Sequence, residues 1–126
     1  MNKHSIFDFK KTLTAIKHPL RGMKIAFLTE VSLRQELVVF IILIPLAFLF
    51  GHNAISRVLL ISSWVLVIII ELINTAIETI VDRIGFEHHN LSAKAKDIGS
   101  AAVLVAGLNA AMIWIFFIIE FLNKKM

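Results

Sequence analysis

From residue 98 to residue 119 the chain runs for 22 residues without a charged side chain. As a helix this stretch is about 33 Å long, enough to cross a hydrocarbon core about 30 Å thick. Inside such a core each backbone N–H and C=O has to find its partner within the segment, which leaves helix as the form for an isolated span. Two more apolar runs lie upstream. Residues 37–50 include no polar or charged side chain, and residues 58–70 are interrupted only by Ser62 and Ser63. Each is shorter than the ~20 residues of a usual span and is completed by flanking residues whose polar groups face protein or the interface. The composition agrees: 58% of the 126 residues are hydrophobic and the mean hydropathy is +0.83, too apolar for an ordinary soluble domain.

These runs predict an all-α membrane protein in one domain, residues 1–126. An amphipathic surface region covers about 5–30, and transmembrane helices lie near 34–51, 55–83 and 95–122. Ile6, Phe9, Leu13, Ile16 and Leu20 recur at helical spacing with the lysines mostly off that stripe, as in a helix lying on a membrane surface. Pro19 predicts a turn at His18, followed by a second amphipathic stretch with Met23 and Phe27 on one side. Gly85 is the expected stop of the second span, residues 86–96 a polar loop, and Asp97 the opening of the third span. The run Gly99-Ser100-Ala101-Ala102, continued by Ala106, Gly107, Ala110 and Ala111, marks a face for close helix contact.

Charge sets the expected orientation. Residues 1–36 carry seven Lys/Arg and residues 83–97 carry three, against Arg57, Lys124 and Lys125 elsewhere. With three spans the two basic segments share a side, so the N-terminus is expected in the cytoplasm and the C-terminus in the periplasm. The net charge of +4 suits anionic lipid headgroups and requires no nucleic acid. The N-terminus has no apolar core of a cleaved signal, and without cysteine there is no thiol chemistry.

The second span carries Glu71, Asn74, Glu78 and Asp82 at helical offsets of 0, 3, 7 and 11. At about 100° per residue all four fall within an arc of about 80°. Acids in a span are costly and mark functional sites. Glu71 lies about 16 Å deeper than Asp82; being the least hydrated, it is the candidate general base. Glu30, approaching the first span, and Glu78 are candidate ligands for Mg²⁺, which takes one or two carboxylates together with substrate phosphates. Plainer readings stand beside these. Glu30 has Arg34 at i+4 as an ion-pair partner, Asn74 suits a helix–helix contact, and Glu87-His88-His89 is a poor chelate on a loop. No P-loop or glycine-rich kinase loop occurs in the chain. The residues alone reach a small three-span membrane protein with a carboxylate site on its cytoplasmic side, and no reaction.

Several segments together resemble the prokaryotic diacylglycerol kinase family: Glu30 with Arg34-Gln35-Glu36; residues 57–63; residues 71–85, which hold the Glu-x-x-Asn-x-x-x-Glu element; and residues 94–103, with Ala95-Lys96-Asp97-Ile98-Gly99-Ser100-Ala101-Ala102. The resemblance covers about residues 8–120. It implies transfer of the ATP γ-phosphoryl group to the hydroxyl of 1,2-diacylglycerol. It also implies a homotrimeric bundle in the bacterial inner membrane, with active sites at subunit boundaries. Carried across, Glu71 is the general base, and Glu30 and Glu78 hold Mg²⁺ against ATP. The nucleotide is contacted by Lys11, His18, Glu30, Glu78, Glu87, His89, Lys96 and Asp97. Arg34, Gln35, Glu36, Asn74 and Ser100 support the site or the lipid path. Lys11 stands where relatives carry Arg, which removes bidentate phosphate contact, and His18-Pro19-Leu20 departs from the family's aromatic, polar sequence there. An undecaprenol kinase has a nearly identical site. A proton- or ion-coupled transport subunit would need Glu71 alone as a relay, and a purely structural protein leaves the buried acids unexplained.

Overall fold

A computed structural model describes residues 9–126, apart from the side chains of residues 9, 10, 12 and 13. Ile6 and the side chains of Phe9 and Leu13, part of the expected amphipathic stripe, lie outside the described residues. The described chain forms four helices: α1 (Phe9–Thr29), α2 (Val31–Phe50), α3 (Ala54–Ile84) and α4 (Asn90–Lys125). The last three are long and apolar enough to cross a membrane.

The bend at the N-terminal side falls at Glu30, not at His18. α1 runs through Pro19. Proline removes one backbone hydrogen bond and crowds the carbonyl four residues back, here that of Ala15, on an exposed stretch of helix where solvent or headgroups can take the freed carbonyl. Ile16, Leu20, Met23 and Phe27 are exposed on one face of α1. Glu30 is the single extended residue between α1 and α2 (φ −99°, ψ 119°), and its N–H still bonds to the Ala26 carbonyl at 2.9 Å. The last turn of α1 contains no basic residue. Arg34 reaches back from α2 and donates from Nη1 to the carbonyls of Phe27 and Leu28, both at 3.0 Å. It thereby satisfies carbonyls that a helix end leaves open and places positive charge where the helix dipole favours it. The Glu30–Arg34 ion pair that the spacing allows does not form among the described residues; the guanidinium is engaged by these carbonyls.

α2 and α3 join through a tight corner. The Asn53 side chain accepts from Ser56 N–H at 2.8 Å, and Ser56 Oγ accepts from Asn53 N–H at 3.0 Å, a capping box. Arg57 Nε donates to the Gly51 carbonyl at 3.1 Å. A Cβ on Gly51 would come within 2.6 Å of the Ala47 carbonyl oxygen and of Arg57 Cγ, so the corner requires glycine for space. The α3–α4 connection is shorter than the predicted loop. α4 begins at Asn90, capped by His89, whose Nδ1 accepts from Leu91 N–H at 3.2 Å. Helix formers such as Ala93, Lys94, Ala95 and Lys96 extend it well before Asp97.

α3 is the central element, packed on α4 along most of its length and on α2 along its other side; α2 and α4 touch little. One cluster unites all three membrane helices: Ala47, Leu60 and Trp114, with Trp114 Nε1 donating to the Leu60 carbonyl at 3.2 Å. A second, of Val67, Ala106 and Ala110, joins α3 to α4 through small side chains. Trp64 Nε1 donates to the Glu36 carbonyl at 3.0 Å and ties α3 to α2.

Candidate active site

The polar row on α3 is graded in exposure. Glu71 and Asn74 are buried, only 6% and 7% exposed, Glu78 is half-buried, and the Asp82 side chain is 47% exposed. Each member has its own partner. Ser32 of α2 donates from Oγ to Glu71 Oε1. Asn74 Nδ2 donates to Glu78 Oε1 at 3.1 Å. Lys96 of α4 pairs with Asp82 at 2.6 Å. The apolar residues around the row bury Glu71 and Asn74 between helices, and the helix end brings Asp82 towards water.

Two buried oxygens have no hydrogen-bond partner among the described residues: Asn74 Oδ1 and Glu36 Oε2. Asn74 Oδ1 rests against Gly99, where a Cβ would overlap it. The small-residue face of α4 thus lets backbone approach the polar row. Glu36 lies one helical turn beyond Ser32 on α2, near enough to Glu71 for the two carboxyl groups to interact electrostatically.

The remaining expected residues divide among separate surfaces. Lys96 turns towards α3, whereas Asp97, about 100° further round the helix, lines a groove of about 430 Å³ with His88, Asn90 and Lys94, to which α3 contributes nothing. Ser100 is exposed. Glu87 and His89 line a concavity of about 680 Å³ where α3 ends and α4 begins. Gln35 is exposed on α2, and Lys11 and His18 are exposed on α1. Counted from the Ser32–Glu71 contact, Glu30 lies near the level of Asn74, and Glu78 lies about 7 Å further towards the end of α3. Among the described residues, no three His, Asp or Glu side chains gather to hold a metal ion by themselves.

Sequence comparison decides what kind of protein carries this row. A profile of the prokaryotic diacylglycerol kinase family matches residues 17–118. The chain belongs to that family. A diacylglycerol kinase of Escherichia coli strain K12 is 45% identical over 106 residues, covering 84% of this chain and 87% of the relative. That of Haemophilus influenzae is 46% identical over 102 residues, 81% and 86% of the two chains. That of Pseudomonas aeruginosa is 42% identical over 105 residues, 83% and 85%. As a prokaryotic diacylglycerol kinase family member the chain is a multi-pass membrane protein and a kinase. The matched region includes the whole polar row, the Glu30 break and the α4 segment from Lys94 to Ser100, and it excludes Lys11.

Sequence reasoning missed three contributors. Ser32 carries no motif, and its contact with Glu71 depends on the register of α2 against α3. Trp64 is indistinguishable in sequence from a lipid-facing aromatic. Gly99 was legible only as one of a run of small residues; its place against Asn74 required the pairing of α3 with α4.

Proposed function

We propose that this kinase transfers the γ-phosphoryl group of ATP to the free hydroxyl of 1,2-diacylglycerol, giving phosphatidic acid and ADP. The observation that carries this reading is the exposure gradient along α3, which sets a buried carboxylate at lipid depth in line with polar groups near water. Glu71 is the general base. With Oε1 engaged by Ser32, Oε2 remains to accept the hydroxyl proton as the lipid oxygen attacks the γ-phosphorus and ADP departs. The lipid then need not leave the bilayer to react.

Phosphoryl transfer is dominated by positioning and charge neutralisation. Lys96, beside Asp82 at the half-exposed end, supplies positive charge to the phosphates. Glu30 forms neither a capping hydrogen bond nor an ion pair among the described residues, and Glu78 is oriented by Asn74. These two carboxylates would hold Mg²⁺, an ion that takes one or two carboxylates together with substrate phosphates. When bound, that ion neutralises phosphate charge and aligns the γ-phosphoryl group. Glu87 and His89 form the nucleotide's outer contact, and Arg34, Gln35, Glu36 and Ser100 the supporting shell.

The active assembly is a homotrimer with sites at subunit boundaries. Two observations support this. Asp97 lines a groove to which α3 of its own chain contributes nothing, so a neighbouring copy would bring it to a complete site. The most apolar windows of α2, α3 and α4 are only 11%, 28% and 17% buried within one chain, leaving apolar surface for lipid and for other copies. The basic bias of residues 1–36 and 83–97 orients the site to the cytoplasm and residue 126 to the periplasm, in the bacterial inner membrane.

The test is a transfer assay in vesicles with labelled ATP, Mg²⁺ and either diacylglycerol or undecaprenol. Labelled phosphatidic acid is expected, with Glu71→Gln reducing kcat by about 10²–10⁴-fold, the range for removing a general base. Glu30→Gln and Glu78→Gln should raise the Mg²⁺ requirement. Label in undecaprenol alone would reassign the acceptor, and label in neither lipid would overturn the kinase reading.

A further inference from the structure

Ser32 behaves unlike four other hydroxyls of these helices. Thr29, Ser62, Ser63 and Thr79 each donate to a backbone carbonyl three or four residues back in their own helix, the usual outlet for a hydroxyl in an apolar helix. Ser32 does not use that outlet. It is the second residue of α2, just after the extended Glu30, and the carbonyl four positions back, that of Leu28, is engaged by Arg34. Its Oγ instead crosses to α3 and donates to Glu71 Oε1.

We infer that Ser32 is a positioning residue for the general base, holding Glu71 so that its second carboxylate oxygen faces the lipid hydroxyl. The inference rests on the reading of Glu71 as that base. A glutamate carboxylate sits at the end of three rotatable bonds, and a proton acceptor has to stand within hydrogen-bond reach of the hydroxyl it serves. Glu71 is 6% exposed, and among the described residues Ser32 is its one hydrogen-bond donor. One hydrogen bond from a separate helix fixes both the carboxylate's rotation and which of its oxygens is free. No new bond to the substrate is involved; Ser32 keeps its proton throughout, and the lipid proton goes to Glu71.

The test compares Ser32→Ala and Ser32→Thr with wild type in vesicles, measuring kcat and the KM values for ATP and diacylglycerol. Ser32 is exposed, so the added methyl of threonine has room and alanine leaves no cavity. For a lost positioning contact, Ser32→Ala should lower kcat about tenfold with each KM changed less than about twofold, and Ser32→Thr should restore kcat to within about threefold. Unaltered kcat in Ser32→Ala would overturn the inference. So would equal losses in both variants with raised KM, the pattern of disturbed packing. Glu71→Gln, run alongside, separates the two levels. If it stays active, the base assignment fails and the inference with it. If it is inactive while Ser32→Ala is normal, only the role of Ser32 fails.

Discussion

The contact between Asn74 and Gly99 gives the sharpest test of how α3 and α4 meet. In Gly99→Ala the new Cβ would overlap Asn74 Oδ1, and Asn74 cannot yield freely: it is 7% exposed, and its Nδ2 is bonded to Glu78. Overpacking costs about 1–3 kcal/mol, and displacing Asn74 gives up a hydrogen bond to a charged group worth about 1.5–3 kcal/mol. Replacing glycine by alanine in a helix returns about 1 kcal/mol. Because the two losses share one side chain they do not fully add, and the net destabilisation comes to about 1–4 kcal/mol. Gly107, eight residues further along the same helix, has nothing within 4 Å of its ideal Cβ. Gly107→Ala should therefore be neutral, or stabilising by about 0.5–1 kcal/mol. Both can be followed by unfolding in mixed micelles through the fluorescence of Trp64 and Trp114, each seated at a helix contact, with kinase activity measured in parallel. Activity should fall with stability in Gly99→Ala, because the same shift removes the orienting contact on Glu78. A Gly99→Ala protein within about 0.5 kcal/mol of wild type, near the floor at which such differences stay interpretable, would refute the close approach.

Other perturbations address the junctions. Arg34→Met removes the donor from the Phe27 and Leu28 carbonyls; because both contacts are exposed and solvent can replace them, it should cost about 0.5–1.5 kcal/mol, localised to the α1–α2 junction. Amide exchange should quicken in α1 and the first turn of α2 and stay unchanged in α4. Asp82→Asn breaks an ion pair whose side chains are 47% and 41% exposed. Water and salt screen such pairs, so thermal unfolding should report less than about 1 kcal/mol, and any activity change would reflect freeing of Lys96.

The spans and the α3 row were legible because both rest on local rules. Apolar length sets a span, and a period of 3.6 sets which side chains share an arc. What escaped was decided between segments. Pro19 signals a turn by its own chemistry, yet the bend occurs at Glu30, where Arg34 can serve the end of α1. The loop expected over residues 86–96 is polar enough to read as coil, but a His89 cap and four good helix formers turn most of it into the start of α4. Lys96 and Asp97 are adjacent in sequence and were grouped together, while helical geometry sends them to different neighbours. Ser32 was invisible for the same reason: its partner lies 39 positions away.

α2 and α4 meet chiefly through Ala47, Phe50, Trp114 and Phe121, over Leu60 of α3, at the end of the molecule away from the α3 carboxylates. The three membrane helices are therefore like pages bound at one edge. Near the binding they are held by tryptophan, phenylalanine and the Gly51 corner. Towards the α3–α4 turn, α2 leans on α1 and α3 while α4 leans on α3, so separating α2 from α4 there breaks few contacts. Stiffness is in this way concentrated away from the α3 carboxylates, and if Glu71 is the base, the free edge is where a lipid would slip between helices to reach it.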